Sequence, residues 1–86
     1  MEGLEMSTLR AFKAGSHVRV HHFVPGFPLG RRLADLGLAP GEEIAVMRND
    51  SLCPLIVSVK GTRFMLGKSI CDSIYAETVS ENGATA

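Results

Sequence analysis

The segment Arg31-Arg32-Leu33-Ala34-Asp35-Leu36-Gly37-Leu38-Ala39-Pro40-Gly41 constrains the fold of this chain more than any other stretch. Leu29, Leu33 and Leu36 recur at positions i, i+4 and i+7, which places them on one face of a helix. This spacing predicts a helix from Leu29 to Leu36 whose leucine face packs on a core.

The end of that helix is also encoded locally. Gly37 stands where a helix terminates in a residue with positive φ, and Pro40 prevents further helical growth. Pro40 and Gly41 fit the two central positions of a tight turn. Glu42 to Arg48 then alternates as a strand.

Short alternating segments separated by turn residues fill most of the remaining chain. They predict strands at His17–Val24, Leu55–Val59, Thr62–Leu66 and Ile74–Glu77, a hairpin at Lys60-Gly61, and a helical turn at Gly67–Asp72. With the strand after Gly41 this gives five short strands, which favour a curled antiparallel sheet or a small, partly open β-barrel with one inserted helix.

The residues Arg32-Leu33-Ala34-Asp35-Leu36-Gly37-Leu38-Ala39-Pro40-Gly41 resemble the signature of the FeoA family, ferrous iron transport protein A. The resemblance runs from about Leu9 to Glu77 and implies an SH3-like antiparallel β-barrel. We therefore expect a domain at residues 9–77, a flexible lead at residues 1–8 and a flexible tail at residues 78–86. Met1 and Met6 both remain candidates for the first residue.

Composition excludes several classes of function. A chain of 86 residues has room for one domain, and no stretch approaches the ~20 apolar residues of a membrane span. Between Arg10 and Lys68, nine cationic side chains face four acidic ones, a net charge of +5. That excess suits an acidic protein surface better than nucleic acid. The wide spacing of Cys53 and Cys71 predicts neither a disulfide framework nor a zinc ribbon and favours a reducing, cytoplasmic compartment.

Three histidines on the first long strand suggest a transition-metal site, since imidazole is a common ligand. Strict alternation puts His22 on the valine face with Val18 and Val20, and His21 on the opposite face. A site for Fe²⁺ or Zn²⁺ would then combine His21 or His22 with a carboxylate from a neighbouring strand or with a cysteine, Cys53. The alternative is an ordinary strand surface.

Catalysis is not expected. The glycines are scattered singly, with no phosphate-binding loop, and a small barrel fills its own interior with side chains. Cys71 takes a position where the FeoA family usually carries alanine, which implies a small buried residue.

Binding through the surface remains. The Phe27 loop and the predicted helix would present Phe27, Leu29, Arg31, Arg32 and Asp35 to a protein partner. The resemblance implies that this partner is the cytoplasmic part of the membrane permease FeoB, and that the chain is a cytoplasmic accessory protein of ferrous iron uptake. Two alternatives stay open: a small metal carrier or sensor, and a regulatory module like the C-terminal domain of iron-dependent repressors. Self-association also stays open.

Overall fold

A computed structural model of the chain describes residues 6–50 and 54–79. The strands are β1 (Met6–Thr8), β2 (His17–Phe23), β3 (Glu43–Arg48), β4 (Leu55–Val59), β5 (Thr62–Leu66) and β6 (Ile74–Thr78). Two short α-helices, α1 (Gly30–Leu33) and α2 (Lys68–Cys71), interrupt them, and a 3-10 turn covers Leu9–Ala11.

The six strands form one antiparallel sheet in the order β1-β6-β2-β3-β4-β5. The predicted mainly antiparallel β-fold with a short inserted helix is confirmed, although β1 and β5 lie at the edges and the sheet is not closed. None of the helices within residues 6–50 and 54–79 has the length and apolar character needed to cross a bilayer.

One face of the curled sheet supplies the core, because inward positions alternate along each strand. The burial pattern of β4, for example, is buried at Leu55, Val57 and Val59 and only partial at the residues between. The 3-10 turn, α2 and the segment that follows α1 each contribute further apolar side chains. The buried core residues are Leu9, Phe12, Val18, Val20, Leu33, Leu38, Ile44, Val46, Leu55, Val57, Val59, Leu66, Cys71, Ile74 and Ala76.

The β4–β5 hairpin has the predicted connection. Lys60 has φ 50° and Gly61 has φ 87°. Positive φ at both central residues is the type I′ geometry, which matches the right-handed twist of the flanking strands. The full ladder from Leu55↔Leu66 to Val59↔Thr62 follows from it.

The ends of the sheet differ from the expected five-strand domain. Met6–Thr8, expected to belong to a flexible lead, forms β1 and pairs with β6. Three residues are too few to show the alternation of apolar and polar side chains that predicts a strand. The structure of this segment depends on its pairing with β6. At the other end, Thr78 is still in β6 and the Val79 N–H donates to the His17 carbonyl at 3.0 Å. The rest of the expected tail lies outside the described residues.

Strand β2 also departs from strict alternation. Val20 pairs with Ala76 and His22 with Tyr75, so one extra residue, His21, is inserted on β2. This β-bulge reverses the direction of the side chains beyond it. His22 is consequently exposed, and the expectation that it shares the buried face of Val18 and Val20 is wrong.

Candidate interaction surface

The segment between β2 and β3 is fixed at its start by a tight turn. Pro25 and Gly26 occupy the central positions, Gly26 has φ 83°, and the Phe27 N–H donates to the Val24 carbonyl at 3.0 Å. The Val24 N–H in turn donates to the Ser73 carbonyl at 2.9 Å, beside β6. The loop that carries Phe27 is therefore held by backbone hydrogen bonds at both the turn and the sheet.

Helix α1 approaches the sheet through a glycine. Gly30 is buried, and a Cβ atom at this position would lie 3.1 Å from Cδ2 of Phe23. Phe23 and Phe27 contact each other with ring centroids 5.9 Å apart and planes tilted by 50°. A larger residue at position 30 would have to displace the Phe23 ring, so glycine sets the spacing between helix and sheet.

The helix ends at a left-handed residue. After α1 the backbone widens into a π-helical turn, Ala34–Leu38, in which Gly37 has φ 114° and ψ −2°. This confirms the helix stop predicted at Gly37. The reversal directs Leu38 into the core, where it is fully buried.

The following Pro-Gly turn anchors the segment to β2. Gly41 has φ 96°, and the Glu42 N–H donates to the Ala39 carbonyl at 3.1 Å, as predicted for a turn centred on Pro40 and Gly41. The Gly41 N–H donates to the Val20 carbonyl at 2.7 Å, and the Val20 N–H donates to the Glu42 carbonyl at 2.9 Å. The helical segment is thus bonded at one end to Ser73, the residue before β6, and at the other end to β2.

The buried face of this segment is not the predicted leucine stripe. Leu33 is 7% exposed, but Leu29 is 37% and Leu36 is 56% exposed. The buried contacts come from Gly30, the neighbour of the expected Leu29, and from Leu33, the one member of the predicted stripe that is buried. Apolar spacing alone does not reveal this, because it gives no weight to glycine.

We call the exposed side of this segment the helix surface: Leu29, Arg31, Arg32, Asp35 and Leu36. The structure brings the predicted Leu29, Arg31, Arg32 and Asp35 to this surface, and Phe27 lies half-buried beside Phe23 in the preceding loop. Leu36 is the member that sequence reasoning missed. The signal for it was Gly30, three residues before Leu33, where a helix commonly packs closely against its neighbour.

The charges of the helix surface have no partner elsewhere in the described part of the chain. Arginines at three other positions form ion pairs: Arg10 with Asp72 at 3.0 Å, Arg19 with Glu43 at 2.7 Å and Arg48 with Asp50 at 2.8 Å. Arg31 and Arg32 make no such pair with any residue in 6–50 or 54–79. Two guanidinium groups are therefore available between two exposed leucines.

The histidines form a second exposed cluster. Nδ1 of His21 lies 2.8 Å from Nδ1 of His22, so the expectation that these rings point to opposite faces is wrong. The His22 ring stacks on Tyr75 of β6, with centroids 4.9 Å apart and planes 2° from parallel. The bulge explains both contacts, because it brings consecutive side chains of β2 to the same side.

The described residues contain no cluster of three or more metal-ligating side chains. Cys53, the third predicted ligand, lies outside the described residues. Cys71 is fully buried, as predicted, and its thiol faces the Leu66 carbonyl at 3.8 Å. Burial, with a smaller effect from the Asp72 carboxylate, raises the pKa of Cys71 from its ordinary 9.0 to about 11, which disfavours the reactive thiolate.

Known structures with this architecture include two FeoA proteins and a repressor. The chain is 27% identical to an iron uptake regulatory protein (FeoA) in a crystal structure, with a TM-score of 0.79 over 87% of this chain and 100% of the other. It is 25% identical to a FeoA-like protein from Clostridium acetobutylicum, with a TM-score of 0.76 over 87% and 88% of the two chains.

The third structure is a manganese-dependent transcriptional repressor, of which this fold corresponds to a part. Its TM-score is 0.76 over 92% of this chain and 45% of the repressor, at 16% identity, a likeness that extends to the fold alone. A comparison with curated protein sequences gives no match.

The family comparison agrees with the FeoA structures. The model of the FeoA domain matches residues 7–78. This range includes the whole helix surface and all six strands, apart from Met6 at the start of β1. The signature from Arg32 to Gly41 falls on the helix, the left-handed Gly37 and the Pro-Gly turn that hold this surface. The chain belongs to the FeoA domain family, which associates it with iron transport.

Proposed function

We propose that this chain is a non-enzymatic, cytoplasmic accessory protein of ferrous iron uptake that docks on the cytoplasmic part of a FeoB-like permease. The observation that carries the proposal is the helix surface, where Leu29 and Leu36 are exposed beside Arg31 and Arg32, two arginines that have no ion-pair partner within residues 6–50 and 54–79. Membership of the FeoA family supplies the connection to iron transport.

The composition of the helix surface suits a protein partner with an acidic rim. Arginine combines a planar contact to carboxylates with apolar stacking and is enriched at the centres of protein interfaces. Exposed leucines on either side would be buried on contact and supply the apolar part of the binding free energy.

The backbone hydrogen bonds that hold the helix surface also favour binding. The turns at Pro25-Gly26 and Pro40-Gly41 bond the segment to β2 and to the residue before β6. A surface held in one conformation loses less conformational entropy on association than a mobile loop does.

The test is binding of the full chain to the purified cytoplasmic part of the permease. Arg32→Glu should weaken binding at least tenfold, because it places a carboxylate against an acidic rim. Arg63→Glu on β5 makes the same charge change at another exposed arginine and should leave binding within about twofold.

An apolar pair of variants completes the design. Leu36→Ser should weaken binding, whereas Met65→Ser, at a methionine that is 74% exposed on β5, should not. Each variant should melt within a few degrees of the wild type, since all four side chains are exposed. Equal binding by Arg32→Glu and Arg63→Glu, with both folded, would refute docking through the helix surface.

A further inference from the structure

The two adjacent histidines at the bulge of β2 have a geometry that the docking surface does not explain. Both side chains are exposed, and their Nδ1 atoms are 2.8 Å apart. We propose that His21 and His22 form a two-nitrogen site for a divalent transition metal, bound through both Nδ1 atoms.

The separation of the two nitrogens is close to what a shared metal ion requires. Metal–nitrogen bonds of about 2.0–2.1 Å place two ligands roughly 2.9 Å apart at a right angle and roughly 3.3 Å apart in a tetrahedron. From the observed 2.8 Å, an outward rotation of the His21 ring, with the His22 ring stacked on Tyr75, reaches either arrangement.

The proton inventory permits this change. A hydrogen bond between the two Nδ1 atoms needs one ring to carry its proton on Nδ1 and the other to accept with its Nδ1 lone pair. Metal binding needs both Nδ1 lone pairs, so the donating ring must carry its proton on Nε2 instead. Each ring keeps one proton in this exchange of tautomers, and the metal replaces the shared hydrogen between the rings.

The surroundings hold the two rings in place before the metal arrives. His22 stacks on Tyr75, which fixes its plane, and the His21 ring meets His22 edge-on at 5.1 Å and 79°. The bulge fixes the backbone that carries both residues. A preorganised pair loses little side-chain entropy on binding.

The donor set indicates the class of metal. Two imidazole nitrogens suit Ni²⁺, Cu²⁺ and Zn²⁺ better than Mg²⁺ or Ca²⁺, which prefer oxygen. Because the described residues offer no third ligand in a cluster, the remaining positions of the metal face solvent and would take water or a ligand from another molecule.

Titration calorimetry of the full apo chain with Zn²⁺ and with Ni²⁺ tests the site. The wild type should bind one metal ion per chain, and His21→Ala and His22→Ala should each weaken binding at least tenfold. His17→Ala is the matched control, an exposed histidine on the same strand, and should bind like the wild type.

Two further variants isolate the roles of neighbouring groups. Tyr75→Phe keeps the stacked ring and should bind normally, whereas Tyr75→Leu removes the stacking and should weaken binding several-fold. Nitrogen-15 NMR should show the Nδ1 resonances of both His21 and His22 shifting on metal addition. Flat titrations, equal binding by all the histidine variants, or loss of binding in Cys53→Ser would overturn the proposal. Permease binding is measured without metal, so failure of either proposal is recognised separately.

Discussion

At the scale of single residues, two Pro-Gly pairs and Gly37 define how the inserted helix is held. Gly26 and Gly41 supply the positive φ of their turns, and Gly37 reverses the chain at φ 114°. Among the described residues no side chain crowds Gly37, since a Cβ there would lie 3.9 Å from Val59 Cγ1, an ordinary van der Waals distance. Backbone conformation rather than space therefore requires glycine at position 37.

The buried thiol of Cys71 gives a pH-dependent term in the stability. Its pKa is raised to about 11 in the folded protein, chiefly by burial, against 9.0 ordinarily. Between these values the unfolded chain has released the proton that the folded protein still binds. The free energy of unfolding should therefore fall as pH rises from 9 to 11, by about 2 kcal/mol from this group.

Chemical denaturation at several pH values measures this effect. The contribution is intact below pH 9 and should be absent in Cys71→Ala, whose stability should fall less steeply with pH than that of the wild type. Parallel pH profiles for the two proteins would contradict the assignment. Other titrating groups are common to both and cancel in the comparison.

At the scale of elements, α1 packs against the sheet at Gly30, the smallest residue of the helix. Gly30 lies against the Phe23 ring and Leu33 reaches the core, which turns Leu29 and Leu36 outward. The apolar residues of an amphipathic helix usually cover the core. Here the exposed leucines border the arginines, which is why the helix surface is the candidate for binding.

The seating predicts unequal effects of leucine truncation. Leu33→Ala should lower the free energy of unfolding by about 2–4 kcal/mol, because it leaves a cavity in the core. Leu36→Ala, at a mostly exposed residue, should change it by less than about 0.5 kcal/mol. Urea unfolding of both variants measures the two changes. A similar loss of unfolding free energy in each would indicate that Leu36 packs on the core, as the leucine stripe predicted.

At the scale of the whole molecule, side chains join the start of the chain to distant elements. The Asn49 amide, just after β3, donates to the carbonyls of Arg10 at 2.9 Å and Phe12 at 2.7 Å. Arg10 also pairs with Asp72 after α2 at 3.0 Å. These contacts tie the 3-10 turn at Leu9–Ala11 to the end of β3 and to the residue after α2.

The Asn49 contacts should therefore contribute to global stability. Asn49→Ala removes both hydrogen bonds and should cost about 1–3 kcal/mol in urea unfolding. Asp50→Ala, next in sequence, breaks only the exposed pair with Arg48 and should cost less than about 1 kcal/mol. Equal costs would indicate that Asn49 does not join these segments.

Many elements of this fold could be predicted from the sequence because they depend on local physical chemistry. Alternation gave the extents of β4 and β5, and glycine and proline marked the hairpin, the helix end and the turn at Pro40-Gly41, since each depends on a few neighbouring residues. Pairing between distant segments decided the rest. β1 forms because it pairs with β6. The bulge at His21 arises because Val20 and His22 pair with adjacent residues of β6. The orientation of the helix is set by the contact between Gly30 and Phe23. A period of two or of 3.6 residues carries no information about such long-range contacts, so both candidate sites took their final form only in the tertiary structure.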